Sequence, residues 1–379
     1  MPRWPFGPRP LDPAHHQGHA GLIAALLVIA ILIIALLGAS ACGAGESGAA
    51  TANPAVSWVD QPVTFTADAM TIYATFRHPV GLSQHYPAAL LIAGSGPTDR
   101  DGNSAVDPGP VDTLKTVADW LSADGVASLR YDKLGSGQTG LGSYAAAPDT
   151  IGIAPFEHEA AAGISFLAAQ HGVDPARLAV VGHSEGALFA LLLASGTGGS
   201  APRVHALALL EPLSGRYLDV ITAQVQASVT SAQKAGTITA AAASTIDNDL
   251  ATATASLRAT GTVPPGLPAS LASVFNPSTA LFLSQADRSD PATLGAGLPA
   301  HAPVLVSCSD SDLQVTCPEV DNLVSGLAKA PTDTTYLHLN GADHVLKQDP
   351  SGSASNYTKP LPFSPQLQAA IAAFVKQHL

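Results

Sequence analysis

Basic residues are scarce in this 379-residue chain: 17 Lys and Arg stand against 29 Asp and Glu, for a net charge of −12. A surface so poor in cations offers no phosphate-tracking stripe, so nucleic acid is not an expected partner. Three cysteines are too few for a disulfide-built scaffold or a four-cysteine zinc site. The 34 glycines and 30 prolines follow no strict period, which excludes a collagen-like chain. Aromatics make up only 5%, and no internal repeat or coiled-coil pattern argues for an envelope-building role. Charged residues are only 12% against 46% hydrophobic, the opposite of a disordered composition. What is present is enough apolar chain for one large domain or two small ones.

The longest apolar run, Ala20 to Leu37, lies near the N-terminus. Arg3 and Arg9 precede it, and no further Lys or Arg occurs before Arg77. That asymmetry predicts the N-terminus inside and the bulk of the chain outside a membrane. The run is long for a signal-peptide core and marginal for a spanning helix. It leads into Leu37-Gly38-Ala39-Ser40-Ala41-Cys42-Gly43, which looks like a bacterial lipobox with Ala39 where leucine is usual. Lipidation of Cys42, an uncleaved anchor and plain secretion all remain open. Each places the rest of the chain outside the cytoplasm, with anchoring to the outer face of the cell membrane the first expectation. His15, His16 and His19 precede the run and read as leader, a metal site being the lesser alternative. Residues 43–54 are small and polar, as a tether should be.

Beyond the tether, Pro62–Ala67 and Met70–Phe76 read as an opening hairpin. Strands are expected at 88–93, 126–131, 178–181, 206–210, 303–307 and 335–339. Helices are expected at 113–124, 156–170, 187–194 and 365–379, the last with Leu367, Ile371, Phe374 and Val375 inward. This alternation predicts an α/β class with a mostly parallel sheet covered on both faces. Residues 218–257 are rich in Ala, Ser and Thr, and breakers follow at Pro264, Pro265, Gly266 and Pro268. Two or three helices inserted between strands are expected there. The domain reading is a leader at 1–42, a tether at 43–54, a core at 55–214 and 301–379, and a helical cap at 215–300.

The chemistry centres on Gly182-His183-Ser184-Glu185-Gly186, a G-x-S-x-G pattern between an expected strand and an expected helix. So tight a turn needs small neighbours, and it projects the Ser184 hydroxyl at a helix N-terminus, where negative charge is favoured. A serine hydroxyl needs a base. His344, in the loop after the last strand, is the candidate; His183 points elsewhere and His338 falls inside a strand pattern. In the order serine, acid, histidine, Asp312 is the first choice for the acid, Asp310 the second and Glu211 the third. These groups lie past the C-terminal ends of strands, where open α/β sheets keep their sites.

Four segments make the chain resemble the α/β-hydrolases, and more narrowly esterases grouped with serine-aminopeptidase-type hydrolases. They are Ala93-Gly94-Ser95-Gly96-Pro97-Thr98-Asp99-Arg100-Asp101-Gly102-Asn103, Arg130-Tyr131-Asp132-Lys133-Leu134-Gly135-Ser136-Gly137, the Gly182–Gly186 turn, and Asp312-Leu313-Gln314-Val315 with Asp343-His344. The resemblance covers about residues 63–379, with the inserted stretch matching poorly. It implies a serine esterase in which the backbone N–H groups of Ser95 and Glu185 form the oxyanion hole. No metal or organic cofactor is implied, and the partner is a small acyl-ester substrate. Asp99, Arg100 and Asp101 read as an ion-paired brace for the Ser95 loop, and Lys133 as a weak candidate for contact. Peptidase or acyltransferase chemistry is the nearest rival; Asp247, Asp249 and Asp287 are a faint hint of an amine site. A catalytically silent binding lipoprotein is the rival of a different class. Cys308 and Cys317 flank Asp312, and in an oxidising compartment they are expected to form a disulfide.

Overall fold

A computed structural model of the chain describes residues 56–81, 85–196 and 201–379. The leader, Cys42 and the tether lie outside the described residues. Eight strands form one sheet in the order β1-β2-β4-β3-β5-β6-β7-β8. They are β1 (Trp58–Ala67), β2 (Met70–Pro79), β3 (Tyr86–Ile92), β4 (Ala127–Tyr131), β5 (Val173–His183), β6 (Ala206–Leu210), β7 (Pro303–Ser309) and β8 (Asp333–Leu339). The β1–β2 hairpin pairs antiparallel at one edge, and β3 to β8 run parallel. The central strands β3, β4 and β6 are buried along their whole length. Their unbroken apolar sequences require cover on both faces.

Helices supply it. On one face, α1 (Thr113–Ala123) and α10 (Pro365–His378) bury Leu114, Val117, Leu121, Leu367, Ile371, Phe374 and Val375 against Leu91, Val181 and Leu305. On the other, α2 (Ala154–Ala168) and α3 (Glu185–Ala194) bury Ile164, Leu167, Leu188 and Leu191 against Leu90 and Val180. Between β6 and β7 the chain forms five helices rather than two or three. They are α4 (Tyr217–Lys234), α5 (Ala240–Thr260), α6 (Ala269–Ala272), α7 (Pro277–Ala286) and α8 (Pro291–Ala296). Gly261, in the left-handed conformation, ends α5, and the breakers near residue 265 lead into short helices, of which α7 is capped by Asn276 and α8 by Asp290. A further helix, α9 (Cys317–Lys329), is absent from the expected elements, although Val320, Leu323 and Leu327 share one buried face. Among the described residues, no helix is long and apolar enough to cross a membrane.

Candidate active site

Three parallel strands bring the site together. Strand β5 ends at His183, and Ser184 turns the chain into α3 with φ 54° and ψ −121°, a sparsely populated conformation for a side-chain-bearing residue. Such strain persists only where surrounding packing enforces it. A Cβ at Gly182 would run into the backbone of Gly186, and one at Gly186 into the backbone carbonyl of Ile92. Strand β7 leads to Asp312, and β8 leads to His344. The Ser184 hydroxyl lies 3.0 Å from His344 Nε2, and His344 Nδ1 lies 2.7 Å from Asp312 Oδ2. Ser184, His344 and Asp312, separated by up to 160 residues, thus form one hydrogen-bonded chain.

The carboxylates around it are not equivalent. Burial would raise the Asp312 carboxyl, but His344 and the backbone N–H groups of Gln314 and Val315 outweigh it and hold the group below the ordinary range. Gln314 N–H donates to Asp312 Oδ1 at 2.7 Å and Val315 N–H at 3.1 Å. Asp310, the second choice, faces away and accepts from Gly341 N–H at 2.8 Å. Glu211, the third, is fully buried beside Asp312, and burial and the Asp312 charge push its carboxyl well above the usual range. Its Oε1 accepts from the Ser307 hydroxyl.

His183 packs under His344, with ring centroids 5.1 Å apart. Its Nε2–H donates to the His344 backbone carbonyl at 2.8 Å, so it braces the base from below. Burial, then the neighbouring His344, lower its pKa to about 4, which leaves it neutral. His338 lies exposed in β8, its Nδ1 3.6 Å from Cys308 Sγ. Cys308 and Cys317 are joined by a disulfide that closes a loop around Asp312.

On the other side of Ser184, Gly94 is in close contact with the turn. A Cβ there would stand 3.2 Å from Ser184 Cβ and 3.3 Å from His183 Nδ1. The N–H groups of Ser95 and Glu185 are engaged by no acceptor among the described residues. Asp99, Arg100 and Asp101 form the brace expected of them. Asp99 Oδ1 accepts from Asp101 and Asn103 N–H, Arg100 grips Asp132, and Asp101 accepts from Arg130 at 2.6 Å. Asp287 is already occupied by Arg216, Arg258 and the N–H of Leu218. That leaves it unavailable as an amine site; Asp247 and Asp249 sit half-buried on α5.

Sequence reasoning missed one cluster. The sequence singles out Glu185 for its N–H alone, yet its buried carboxylate lies 3.2 Å from Lys133 Nζ and accepts from the Tyr217 hydroxyl at 2.5 Å. Lys133 Nζ also donates to the Gly94 carbonyl. No local pattern links positions 94, 133, 185 and 217; only the low odds of a lysine in a buried turn could have signalled it.

Strand order, the strand–Ser184–helix turn, and an acid and a histidine beyond β7 and β8 define the α/β-hydrolase fold. Solved structures agree. An esterase of Pyrococcus furiosus superposes with a TM-score of 0.51 at 15% identity, covering 85% of this chain and 91% of that one. DcsB, solved with its substrate analogue, gives 0.52 at 16%, over 84% and 99%. A structure from a study of two fungal esterases of Rhizomucor miehei gives 0.50 at 17%, over 86% and 85%. No protein-family model matches the sequence, and no curated protein matches it.

Proposed function

We propose that this protein is an exported serine hydrolase that cleaves carboxylic esters through an acyl-enzyme. The observation that carries the reading is the Ser184–His344–Asp312 chain, with Ser184 held at positive φ beside two free backbone N–H groups. Ser184 Oγ attacks the acyl carbon as His344 Nε2 takes its proton, and Asp312 stabilises the imidazolium. The Ser95 and Glu185 N–H groups receive the oxyanion. Collapse of the tetrahedral species breaks the C–O bond, and the departing alkoxide takes the proton from His344. Water, deprotonated by His344, then attacks the acyl-enzyme and restores Ser184.

The resemblance to the serine-aminopeptidase-type subgroup, through the Gly94–Asn103 loop, supports the same assignment, as do structural neighbours named as esterases. Residues 215–300 form the cap that shapes the acyl pocket. The Cys308–Cys317 disulfide supports an oxidising compartment. Export through the 1–42 leader, with Cys42 lipidated or the apolar segment retained as an uncleaved membrane anchor, accounts for it.

The test is hydrolysis of short- and medium-chain p-nitrophenyl esters by the protein and by Ser184→Ala, with fluorophosphonate labelling. Turnover and labelling that vanish in the variant are expected. Labelling without ester turnover would move the assignment to peptidase or acyl transfer. Neither, in folded protein, would leave a binding protein.

A further inference from the structure

Lys133 is only 3% exposed, a rare place for an ammonium. Its backbone is fixed on both sides: the Lys133 carbonyl accepts from the Ser136 hydroxyl, and the Leu134 N–H donates to the Glu159 carboxylate. Its Nζ reaches two groups, the Glu185 carboxylate and the Gly94 carbonyl. The second contact bears on chemistry. None of the described peptide bonds is cis, so the Gly94 carbonyl and the Ser95 N–H point in opposite directions across one rigid plane. A cation fixed on the carbonyl side therefore turns the N–H away from itself. It also draws electron density toward the carbonyl, making the N–H a better donor. Glu185 balances the charge, and Tyr217, in the first turn of α4, donates to the far oxygen of Glu185.

We propose that Lys133 is the positioning residue of the oxyanion pocket: by holding the Gly94 carbonyl, with Glu185 and Tyr217 fixing it in place, it aims the Ser95 N–H at the reacting carbonyl oxygen. The proposal rests on the esterase reading. Because Tyr217 belongs to the inserted helices, it also ties their seating to the quality of the oxyanion pocket. A lysine that only neutralised Glu185 would matter for stability and not for the transition state.

The experiment compares wild type, Lys133→Met, the charge-balanced double variant Lys133→Met/Glu185→Gln, and Tyr217→Phe. The readouts are kcat and KM on a p-nitrophenyl ester, and affinity for a trifluoromethyl ketone, whose adduct with serine carries an oxyanion. Affinity for the matching non-electrophilic alcohol is measured beside it. Loss of one oxyanion donor typically lowers kcat by 10²–10³. The expectation for Lys133→Met and for the double variant is a kcat loss of about 100-fold with KM within about threefold. Ketone affinity should fall in parallel and alcohol affinity should hold. Tyr217→Phe should lose less, again in kcat. Recovery of kcat and ketone affinity in the double variant would show charge balance alone and overturn the proposal. The double variant keeps the test open if Lys133→Met, with its unpaired buried carboxylate, fails to fold. A wild type that neither turns over esters nor labels with fluorophosphonate would instead remove the esterase reading, and the proposal with it.

Discussion

Two neighbouring strands end on two buried carboxyls, and the two groups have opposite characters. Strands β6 and β7 are in register, Leu209 against Val306, so Glu211 leaves the sheet at the level of Cys308, a few residues before Asp312. Both side chains are nearly or fully buried. Asp312 meets two backbone N–H groups and an imidazole, whereas Glu211 meets one hydroxyl, the single backbone N–H of Ser309 and the carboxylate of Asp312. Donor supply therefore decides which carboxyl ionises, and depth does not. The acid of the site is selected by the turn after Asp312, which folds the chain back so that Gln314 and Val315 point their N–H groups inward. Glu211, its carboxyl pushed up by burial and by the Asp312 charge, is the poorer carboxylate of the two.

Several changes would break or sharpen this contrast. The largest effect is expected from Ser184→Ala, which should remove ester turnover by at least about 10⁴-fold, since the nucleophile serves both carboxyls alike. Asp312→Asn should lower kcat by about 10⁴, the loss typical when the histidine is left in the wrong tautomer. If Glu211 could take over, the loss would be under about tenfold, and the contrast would collapse. Glu211→Gln, which keeps the side-chain shape and the acceptor for Ser307, should keep kcat within about tenfold in steady-state assays.

The remaining two predictions concern stability. Replacing both Cys308 and Cys317 by serine should cost about 2–3 kcal/mol in denaturant unfolding, the contribution expected of a short closed loop. A comparable drop in kcat would show that the disulfide also holds Asp312 in place. His183 should contribute a pH slope. Its folded pKa of about 4 lies below the unfolded value of about 6.5, so the unfolded chain binds the extra proton first. Stability should be full above about pH 6.5, and should fall as pH drops through about 4. His183→Asn should flatten that limb of a melting-temperature profile.

Where residues close in sequence determine the outcome, the pattern was readable: the β1–β2 hairpin, the inward face of α10 and the strand–Ser184–helix turn all follow from local spacing and small residues. Ser184, Asp312 and His344 were candidates because each follows an apolar strand segment, and the structure places them within hydrogen-bond reach of one another. The inserted helices were undercounted because alanine, serine and threonine give no periodic contrast. Helix α9 was missed although Thr316 and Glu319 form a capping box at its start and Val320, Leu323 and Leu327 follow at helical spacing. The Lys133–Glu185–Tyr217 cluster has no sequence signal of this kind, because its members meet only when β4, α3 and α4 converge.

The edge strand has a consequence for handling the molecule. Trp58 pairs with Pro79, beyond the N-terminal end of β4, while Arg177, on the N-terminal half of β5, holds the Leu379 carbonyl. Entry and exit of the described chain therefore share the pole of the sheet opposite Ser184. A leash fastened at either end, whether acyl chain, affinity tag or resin, leaves the mouth of the site pointing outward.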